Sequence, residues 1–260
     1  MTTDRKDLIR THLFENGLTP VQTLAEIIGA SLATVRRDLT EMEQDGSVER
    51  LHGSARIATK AQGEVEFGAR ESTNLLAKRA IASTAAEFIK PGSTVFLDAG
   101  TTVLQLARRI KLMNMPLTVF TNGIVVAQEL AHVPDIQVCL LGGRIRPENM
   151  SIIGPFADEM LGKVWFDQLF LGASAIDDNG WVSSYDADEA QLNTRMLSRS
   201  DNVFLLADQQ KFGVRATYNV FRLTGDETLI LDGTVPTGFS GYAAEKQLNI
   251  VTAQSGAGHD

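Results

Sequence analysis

Ser31-Leu-Ala-Thr-Val-Arg-Arg-Asp-Leu39 is the stretch that decides how the N-terminal part of this sequence folds. Its apolar residues, together with Met42, recur at the three- and four-residue spacing of one helix face. Ser31 is a good N-cap residue at the start of that helix. Two helical patterns precede it, separated at Gly17 and Gly29, and two short strand patterns follow it around a turn at His52-Gly53-Ser54. Three helices and a hairpin predict a winged helix-turn-helix module.

The apolar face of each predicted helix is expected to form the core of this module. The residues concerned are Leu8, Ile9, Leu13 and Phe14 in the first helix, Val21, Leu24, Ala25, Ile27 and Ile28 in the second, and Leu32, Val35, Leu39 and Met42 in the third. Thr19-Pro20 is predicted to open the second helix, because proline at the first helical position loses only an N–H that has no partner there.

The early turns of the third helix in such a module enter the major groove of DNA. At about 100° per residue, Arg37 lies opposite the core stripe between Val35 and Leu39, which makes it the predicted base-reading residue. Arg36 is the predicted phosphate contact. The full set of predicted DNA-binding residues is Ser31, Thr34, Arg36, Arg37, Arg50 and His52, the last two on the wing. The alternative interpretation of the Arg-Arg-Asp run is a solvated helix face with local ion pairs, in a unit that serves only structure or dimerisation.

The composition is that of a globular protein with room for two modest domains. The chain has 260 residues, of which 43% are apolar and 22% charged. No apolar run approaches the roughly 18 residues that would span a bilayer, and the polar start lacks the apolar block of a signal peptide. The single cysteine, Cys139, excludes an internal disulfide and fits a reducing cytoplasm. We therefore expect a cytoplasmic protein with no membrane association.

The net charge of −8 argues, taken over the whole chain, against a nucleic-acid-binding protein. The charge is unevenly distributed, however. Residues 1–60 hold eight basic and nine acidic residues, a net −1, whereas the remaining 200 residues hold 16 and 23, a net −7. The acidity therefore belongs mainly to the C-terminal part, and it is expected to limit non-specific binding to DNA, which depends on phosphate neutralisation.

The C-terminal part alternates strand-like apolar runs with helical stretches, which predicts an α/β fold with a mostly parallel sheet covered by helices. Residues between the two parts are polar, contain glycine and have no clear period. The predicted organisation is a DNA-binding domain over residues 1–57, a linker over 58–73, an α/β domain over 74–253 and a frayed tail over 254–260.

Three loops that follow the first three predicted strands of the sheet carry residues suited to a phosphate. They are Asp98-Ala-Gly-Thr-Thr102, Thr121-Asn-Gly123 and Leu141-Gly-Gly-Arg144. Since ligands of open α/β sheets bind at the carboxyl ends of the strands, and helix N-termini favour anions, these loops predict a site for a phosphorylated small molecule. Glu189 and Lys211 are further candidates. Each loop alone could be purely structural, and Lys211 could be a solvated loop lysine.

The N-terminal motifs resemble the signature of the DeoR family of bacterial transcriptional regulators. The matching residues are Leu24-Ala25, the stretch Ser31 to Leu39, Glu43-Gln-Asp-Gly46 and Arg50-Leu-His-Gly53. Ser54 departs from that signature, which usually has a second glycine in the wing turn. The C-terminal motifs are similar to the DeoR-type C-terminal domain; they are Asp98 to Thr102, Thr121-Asn122, Leu141-Gly-Gly143, Gly154-Pro155, Phe170-Leu-Gly172, Glu189-Ala190 and Ala207 to Gly213.

This resemblance implies a C-terminal fold related to ribose-5-phosphate isomerase, a sugar phosphate as effector, and repression of a carbohydrate operon. The predicted effector-binding residues are Asp98, Gly100, Thr101, Thr102, Thr121, Asn122, Gly143, Arg144, Glu189 and Lys211. Gly123 and Gln209-Gln210 depart from the family pattern near this site, so the identity of the effector does not follow from the resemblance.

An enzymatic function is the main alternative, since sugar-phosphate isomerisation needs a carboxylate base near the substrate. Ribose-5-phosphate isomerases carry an Asp-Gly-Ala-Asp loop, where this chain has Leu171-Gly-Ala-Ser174. Both loop carboxylates are missing, and an isomerase-like or deaminase-like enzyme would have to rely on Glu189 and Lys211. We therefore predict that the protein is not an enzyme. The four histidines show no metal-ligand spacing, so neither a metal nor a cofactor is predicted.

The predicted partners are double-stranded operator DNA, a phosphorylated sugar effector and further copies of the chain. A homo-oligomer, either a dimer or a tetramer, is expected because one winged helix makes too few contacts for tight specific binding. A third possibility is an interaction module that no longer binds DNA.

Overall fold

The computed structural model describes residues 5–44, 47–51, 53–57 and 67–253. These residues form two compact units, one before Phe67 and one that begins there. His52, residues 58–66 of the predicted linker and the predicted tail 254–260 lie outside the described residues. Residues 67–72, predicted as linker, are helical instead, because Phe67 is buried and anchors a short helix.

The first unit is a winged helix-turn-helix, as predicted. Its described elements are helix α1 (Arg5–Asn16), strand β1 (Thr19–Pro20), helices α2 (Val21–Ile28) and α3 (Leu32–Gln44), and strands β2 (Val48–Leu51) and β3 (Ser54–Ile57). The strands form an antiparallel sheet in the order β1-β3-β2. Helix α2 begins directly after Thr19-Pro20, as predicted, but Pro20 is its N-cap, with a ψ of 140°, rather than its first helical residue. Thr19 in addition pairs with Ala55 of β3.

The core of this unit contains fewer residues than the apolar pattern predicts. Ile9 and Leu13 are buried, but their neighbours Leu8 and Phe14 are exposed, Phe14 to 84%. Ile27 and Leu32 are exposed as well. Adjacent residues of a helix point about 100° apart, so only one of each pair can face the interior.

A buried carboxylate joins the first helix to the third. Asp38 is only 3% exposed and accepts hydrogen bonds from Nε and Nη2 of Arg5, the latter at 2.9 Å. The hydrogen bond from Arg5 holds the pKa of the Asp38 carboxyl below its ordinary value. The Arg-Arg-Asp run is therefore not a uniform solvated face, because its aspartate points inwards while its arginines remain exposed.

The second unit contains most of the described elements. In chain order they are α4 (Phe67–Ser72), α5 (Leu75–Ala86), β4 (Thr94–Leu97), α6 (Thr101–Ile110), β5 (Leu117–Thr121), α7 (Ile124–Leu130), β6 (Ile136–Leu140), β7 (Arg144–Arg146), β8 (Ser151–Ile153), α8 (Pro155–Gly162), β9 (Phe166–Gly172), β10 (Ala175–Ile176), β11 (Trp181–Ser184), α9 (Ala187–Leu197), β12 (Ser200–Ala207), β13 (Tyr218–Arg222), β14 (Thr228–Asp232), α10 (Thr237–Glu245) and β15 (Asn249–Ala253).

The predicted α/β fold is confirmed. Seven strands among the described residues form one parallel sheet in the order β15-β14-β12-β9-β4-β5-β6. Alternate residues of the central strand β9 face two cores. Phe170 packs in the cluster that contains Leu104 of α6, whereas Leu169 and Leu171 pack in the cluster that contains Leu161 of α8. Helices therefore cover both faces of the sheet.

Two small antiparallel sheets were not foreseen. Strands β7 and β8 form a hairpin, and β10, β11 and β13 form a three-stranded sheet. Strand β13, which begins at Tyr218, pairs with β11 in this second sheet and not with the large sheet. Helix α10 and strand β15 were also not predicted. The strands of the hairpin are only three residues long, too short to show a period of their own.

The Arg5–Asp38 pair leads to a first prediction. Asp38→Asn should lower the opening free energy of α3 by roughly 1–3 kcal/mol, because it removes the charge of a buried carboxylate that accepts hydrogen bonds from Arg5. Asp7→Asn removes a carboxylate from an exposed pair with Arg10 and should cost less than about 1 kcal/mol. Native-state hydrogen exchange of α3 amides in the full chain measures both values. Equal effects of the two substitutions would contradict the structural role of Asp38.

The same pair predicts a pH dependence with a definite sign. A carboxyl whose pKa is lowered by folding contributes stability above its unfolded pKa of about 3.9, and loses it as the pH falls through the folded value. The difference between wild type and Asp38→Asn should therefore persist at neutral pH and shrink below about pH 4.

Candidate functional site

The start of α3 is capped by its own serine. Oγ of Ser31 accepts a hydrogen bond from the backbone N–H of Thr34 at 3.2 Å and lies 2.8 Å from Oγ1 of Thr34. The predicted N-cap is therefore confirmed, and both hydroxyls are already engaged with each other. A contact of either residue with DNA stays a prediction.

Arg36 and Arg37 are the exposed cations of this helix. Both side chains are exposed, on the part of the surface that lies away from buried Val35 and Leu39. Within the described part of the chain, neither guanidinium has a hydrogen-bond or ion-pair partner. Two neighbouring cations that protein groups leave available are suited to phosphates and to base edges in the major groove.

The wing residues are held by neighbouring groups. Arg50 donates to Oγ1 of Thr40 at 3.1 Å, and its Nη1 lies 3.7 Å from Oε2 of Glu43. Arg56 pairs across the hairpin with Glu49 at 2.7 Å. Arg50 is therefore held against the exposed surface of α3. His52, the remaining predicted wing residue, lies outside the described residues.

A polar cavity lies at the carboxyl ends of β4 and β9 in the second unit. Its lining consists of Arg70, Asp98, Gly100, Thr101, Thr102, Asn149, Gly172, Ala173, Ser174, Glu189, Asn193 and Lys211. Six predicted effector residues are thus brought together by the fold, namely Asp98, Gly100, Thr101, Thr102, Glu189 and Lys211. They come from the loop after β4, from the first turn of α6, from α9 and from the short 3-10 turn Gln209–Lys211.

The other four predicted residues lie elsewhere in this unit. Thr121 and Asn122 are completely buried, and Oγ1 of Thr121 accepts from the Gly123 amide at 2.9 Å. Arg144 is exposed and pairs with Asp188 at 2.6 Å. Gly143 has a φ of 155°, and a Cβ there would lie 2.6 Å from the carbonyl oxygen of Ile153. The structure therefore gives Thr121, Gly143 and Arg144 a local hydrogen-bonding, packing or ion-pairing role. The buried side-chain amide of Asn122 has no hydrogen-bond partner among the described residues. None of the four lines the described cavity.

Six residues of the lining were not among the predicted effector residues, namely Arg70, Asn149, Gly172, Ala173, Ser174 and Asn193. Arg70 comes from α4, which was predicted as linker, and Asn149 comes from the 3-10 turn Pro147–Asn149 inside the β7–β8 hairpin. Tertiary structure alone brings these two to the cavity. Asn193, in contrast, follows Glu189 by four residues on the same helix, so its spacing could have identified it.

Asp98 is the buried acid of the cavity. Its Oδ2 accepts from the Gly172 amide at 3.1 Å, while its Oδ1 has no hydrogen-bond partner among the described residues. Burial raises the pKa of the Asp98 carboxyl above its ordinary value. The two adjacent glycines leave room around it, since a Cβ on Gly172 would approach Oδ2 to 3.3 Å. This carboxyl is suited to receive a hydroxyl group of a ligand.

Glu189 is held in a network on all sides. It accepts from Nδ2 of Asn149 at 2.5 Å and from Oγ of Ser184 at 2.8 Å, and Nη1 of Arg146 lies 3.7 Å away. Asp186 caps α9 by accepting from the Glu189 amide at 2.9 Å. A carboxylate engaged in this way positions its neighbours and is a poor general base, because its lone pairs are already occupied.

The cavity as a whole suits a hydroxylated anion. Arg70 and Lys211 supply positive charge, and the N-terminus of α6 presents backbone amides near Thr101 and Thr102. Asp98 and Asn193 supply acceptors for hydroxyl groups. The part of the chain that the structure describes contains no group of three or more His, Cys, Asp or Glu side chains that could hold a metal ion. It also contains no helix that is long and apolar enough to cross a membrane.

The fold and the two sites define a class, the two-domain ligand-responsive DNA-binding proteins. Residues 5–61 match the DeoR-like helix-turn-helix domain, and residues 73–233 match the DeoR C terminal sensor domain. The second match alone covers more than half of the chain. The protein therefore belongs to the DeoR family, and it is a transcriptional regulator rather than an enzyme.

Relatives of known name extend over nearly the whole chain. The HTH-type transcriptional regulator GlpR of Haloferax volcanii is 38% identical over 215 residues, which cover 83% of this chain and 84% of that protein. The HTH-type transcriptional repressor CsqR of Escherichia coli K12 is 31% identical over 253 residues, covering 97% and 96%. Ribose 5 phosphate isomerase A from Neisseria gonorrhoeae has a TM-score of 0.40 at 16% identity over 53% of each chain, which is too distant to bear on activity.

The buried acid of the cavity leads to a second prediction. A carboxyl whose pKa is raised by folding contributes stability below its unfolded pKa of about 3.9, and loses it as the pH rises through the folded value. Asp98→Asn should therefore gain stability relative to wild type as the pH rises above about 4, by up to about 1.4 kcal/mol per pH unit, until the folded-state pKa of Asp98 is passed. Urea unfolding of both proteins at a series of pH values measures this difference. Parallel pH profiles would contradict the raised pKa.

Proposed function

We propose that this protein represses a carbohydrate operon and that a sugar phosphate in the cavity relieves the repression. The observation that carries the proposal is the lining of the cavity, which combines two cations, a helix N-terminus and hydroxyl acceptors. A phosphate group and a sugar ring together would use all three. The relative CsqR, whose name is that of a transcriptional repressor, supports the direction of regulation.

The DNA partner of the proposal is a double-stranded operator bound in the cytoplasm by a dimer or tetramer. Arg36 and Arg37 on α3 would make the main contacts, with Arg50 and His52 on the wing, while Ser31 and Thr34 lie at the helix end that faces a phosphate. Two DNA-binding domains are required because a single one would bury too little surface for tight specific binding.

Release of DNA requires that the sugar phosphate bind the DNA-incompetent state more tightly than the competent one. An effector with equal affinity for both states would leave the operator occupied. The relevant measurement is therefore operator affinity as a function of sugar-phosphate concentration, and not sugar-phosphate affinity alone.

The cavity leads to a third prediction. Lys211→Ala should weaken binding of the effective sugar phosphate by roughly ten- to hundredfold, because a charge-assisted hydrogen bond to phosphate is lost. Calorimetric titration of the full chain with ribose 5-phosphate, glucose 6-phosphate, fructose 1-phosphate and fructose 6-phosphate measures this. Lys163→Ala is the matched control, since Lys163 pairs with Glu159 on an exposed face of α8.

The outcomes of this titration are distinct. If none of the four esters binds wild type or changes its affinity for DNA, the proposed effector class is wrong. If one binds and Lys211→Ala binds it equally well, the assignment of Lys211 is wrong while the cavity stays a candidate. Turnover of any ester would instead favour an isomerase-like activity.

The reading helix leads to a fourth prediction. Arg37→Ala should cost about 1–3 kcal/mol in operator binding and relax base preference at one position. Arg36→Ala should weaken binding evenly across sequences and reduce the salt dependence by about one unit of slope. Operators selected from random DNA by the full-length protein serve as targets. Arg10→Ala, from an exposed ion pair on α1, is the control.

A further inference from the structure

Strand β6 is one of the two edges of the large parallel sheet. Among the described strands it pairs with β5 alone, in a continuous register that runs from Leu117–Ile136 to Thr121–Leu140. Helix α7, which precedes it in the chain, packs beside it. The outer side of β6 therefore presents backbone N–H and C=O groups to which another strand can bind.

The sequence of β6 lacks the features that usually prevent an edge strand from pairing. Ile136-Gln-Val-Cys-Leu140 contains no charged residue and no proline. Its two exposed residues are Gln137 and Leu140, the latter 40% exposed, whereas the exposed residues of the other edge strand, β15, are Asn249 and Thr252. Strand β6 is therefore the edge that leaves a large apolar side chain in solvent.

A groove lies at the amino end of β6. Its volume is about 460 Å³, and its lining includes Pro116, Leu117 and Ile136. The exposed Leu140 lies at the opposite end of the strand. A projecting apolar side chain at one end and a groove at the other form a self-complementary surface, which is what a two-fold symmetric contact between identical chains requires.

Antiparallel pairing of two β6 strands around a two-fold axis at Val138 brings these parts together. Val138 then lies opposite its counterpart, and Leu140 of each copy lies opposite Ile136 of the other, at the groove. These side chains share one face, because side chains alternate along a strand, and the pairing therefore gives three apolar cross-strand contacts. On the other face Gln137 lies opposite Cys139.

The charges at the two ends of the strand favour the same arrangement. Asp135 precedes β6 and is exposed, whereas Arg144 follows its carboxyl end and has a side chain that is 63% exposed beside Asp188. Antiparallel pairing places Asp135 of one copy at the end where Arg144 of the other copy lies. Since β6 itself carries no charge, the pairing brings no like charges opposite each other within the strands.

We propose that β6 is the surface through which a second copy of this chain binds, with the two strands antiparallel and centred on Val138. The two large sheets then form one sheet that is continuous across the two-fold axis. The inference rests on the proposed function in one respect, since specific operator binding calls for two DNA-binding domains and the second copy supplies the other one.

Cysteine trapping tests the register. Residues that face each other in an antiparallel pair have Cα atoms about 4.5–5.5 Å apart, a distance that a disulfide spans. Val138→Cys in a Cys139→Ser background should therefore form a disulfide-linked dimer with oxidised glutathione, measured on a non-reducing gel. Val251→Cys in the same background changes the half-buried middle residue of β15 and should not cross-link. Wild type should not cross-link either, because Cys139 faces Gln137.

Disruption of the contact tests its contribution to assembly. Leu140→Lys should weaken self-association by at least about tenfold, because each dimer loses two buried leucine contacts. Sedimentation of the full chain over a concentration series measures this change. Leu76→Lys is the matched control, since Leu76 is 78% exposed on α5, which packs against β12, β14 and β15 in the other half of the sheet. Neither leucine lines the cavity, so both variants should bind sugar phosphate as wild type does.

The outcomes separate this inference from the proposed function. If wild type self-associates but Val138→Cys cross-links no faster than Val251→Cys, the β6 contact is overturned while the proposed function stands. Self-association of Leu140→Lys equal to that of wild type also overturns it, as does a wild type that binds its operator as a monomer. If Leu140→Lys fails to fold, the trapping experiment decides. If the β6 dimer forms but no sugar phosphate changes operator binding, the proposed function fails and this inference stands.

Discussion

The hydrogen bond from the Gly172 amide to the buried carboxyl of Asp98 joins the ends of two neighbouring strands, and the cavity is built around it. Strands β9 and β4 are paired in parallel, so their carboxyl ends lie side by side at one edge of the sheet. A carboxyl in that position brings the N-terminus of α6 close to the chain that leaves β9. Gly100 and Gly172 lie against each other there, since a Cβ added to either would lie 3.5–3.6 Å from the Cα of the other.

The sequence allowed much of this architecture to be predicted, because helix periodicity and strand alternation are local properties. The winged helix, the cap at Ser31 and the residues of the loop after β4 all follow from short stretches. Where the pattern was locally ambiguous, as for Leu8 beside Ile9, only packing decided which side chain became buried. The pairing of Thr19 and Pro20 with β3 was not visible in the sequence, because β3 lies more than thirty residues away.

The cavity was only partly predictable for the same reason. Asp98 and its neighbours are adjacent in the chain, and Lys211 follows a recognisable strand. Arg70 and Asn149 reach the cavity from a short helix and a hairpin that carry no periodic signal. Thr121 and Asn122 show the opposite case, since they occupy the expected strand end but are buried behind the loop that lines the cavity. The sequence correctly placed both residues at the carboxyl end of a strand, but the apolar pattern did not show that they would be fully buried.

The proposed preference of the cavity for a sugar phosphate, over a free sugar or inorganic phosphate, rests on the chemistry of its lining. Oδ1 of Asp98 and Oδ1 of Asn193 belong to lining side chains and have no hydrogen-bond donor among the described residues, at a cost of roughly 1–3 kcal/mol for each buried acceptor. An unphosphorylated sugar would satisfy these acceptors but carries no negative charge to attract the side chains of Arg70 and Lys211. Inorganic phosphate would interact with the positive charges but lacks the sugar hydroxyl groups that would donate hydrogen bonds to these acceptors. Of these three ligands, a phosphorylated sugar combines the negative charge with the hydroxyl groups. A regulator with such a cavity would respond to the phosphorylated intermediate of a pathway rather than to the free sugar.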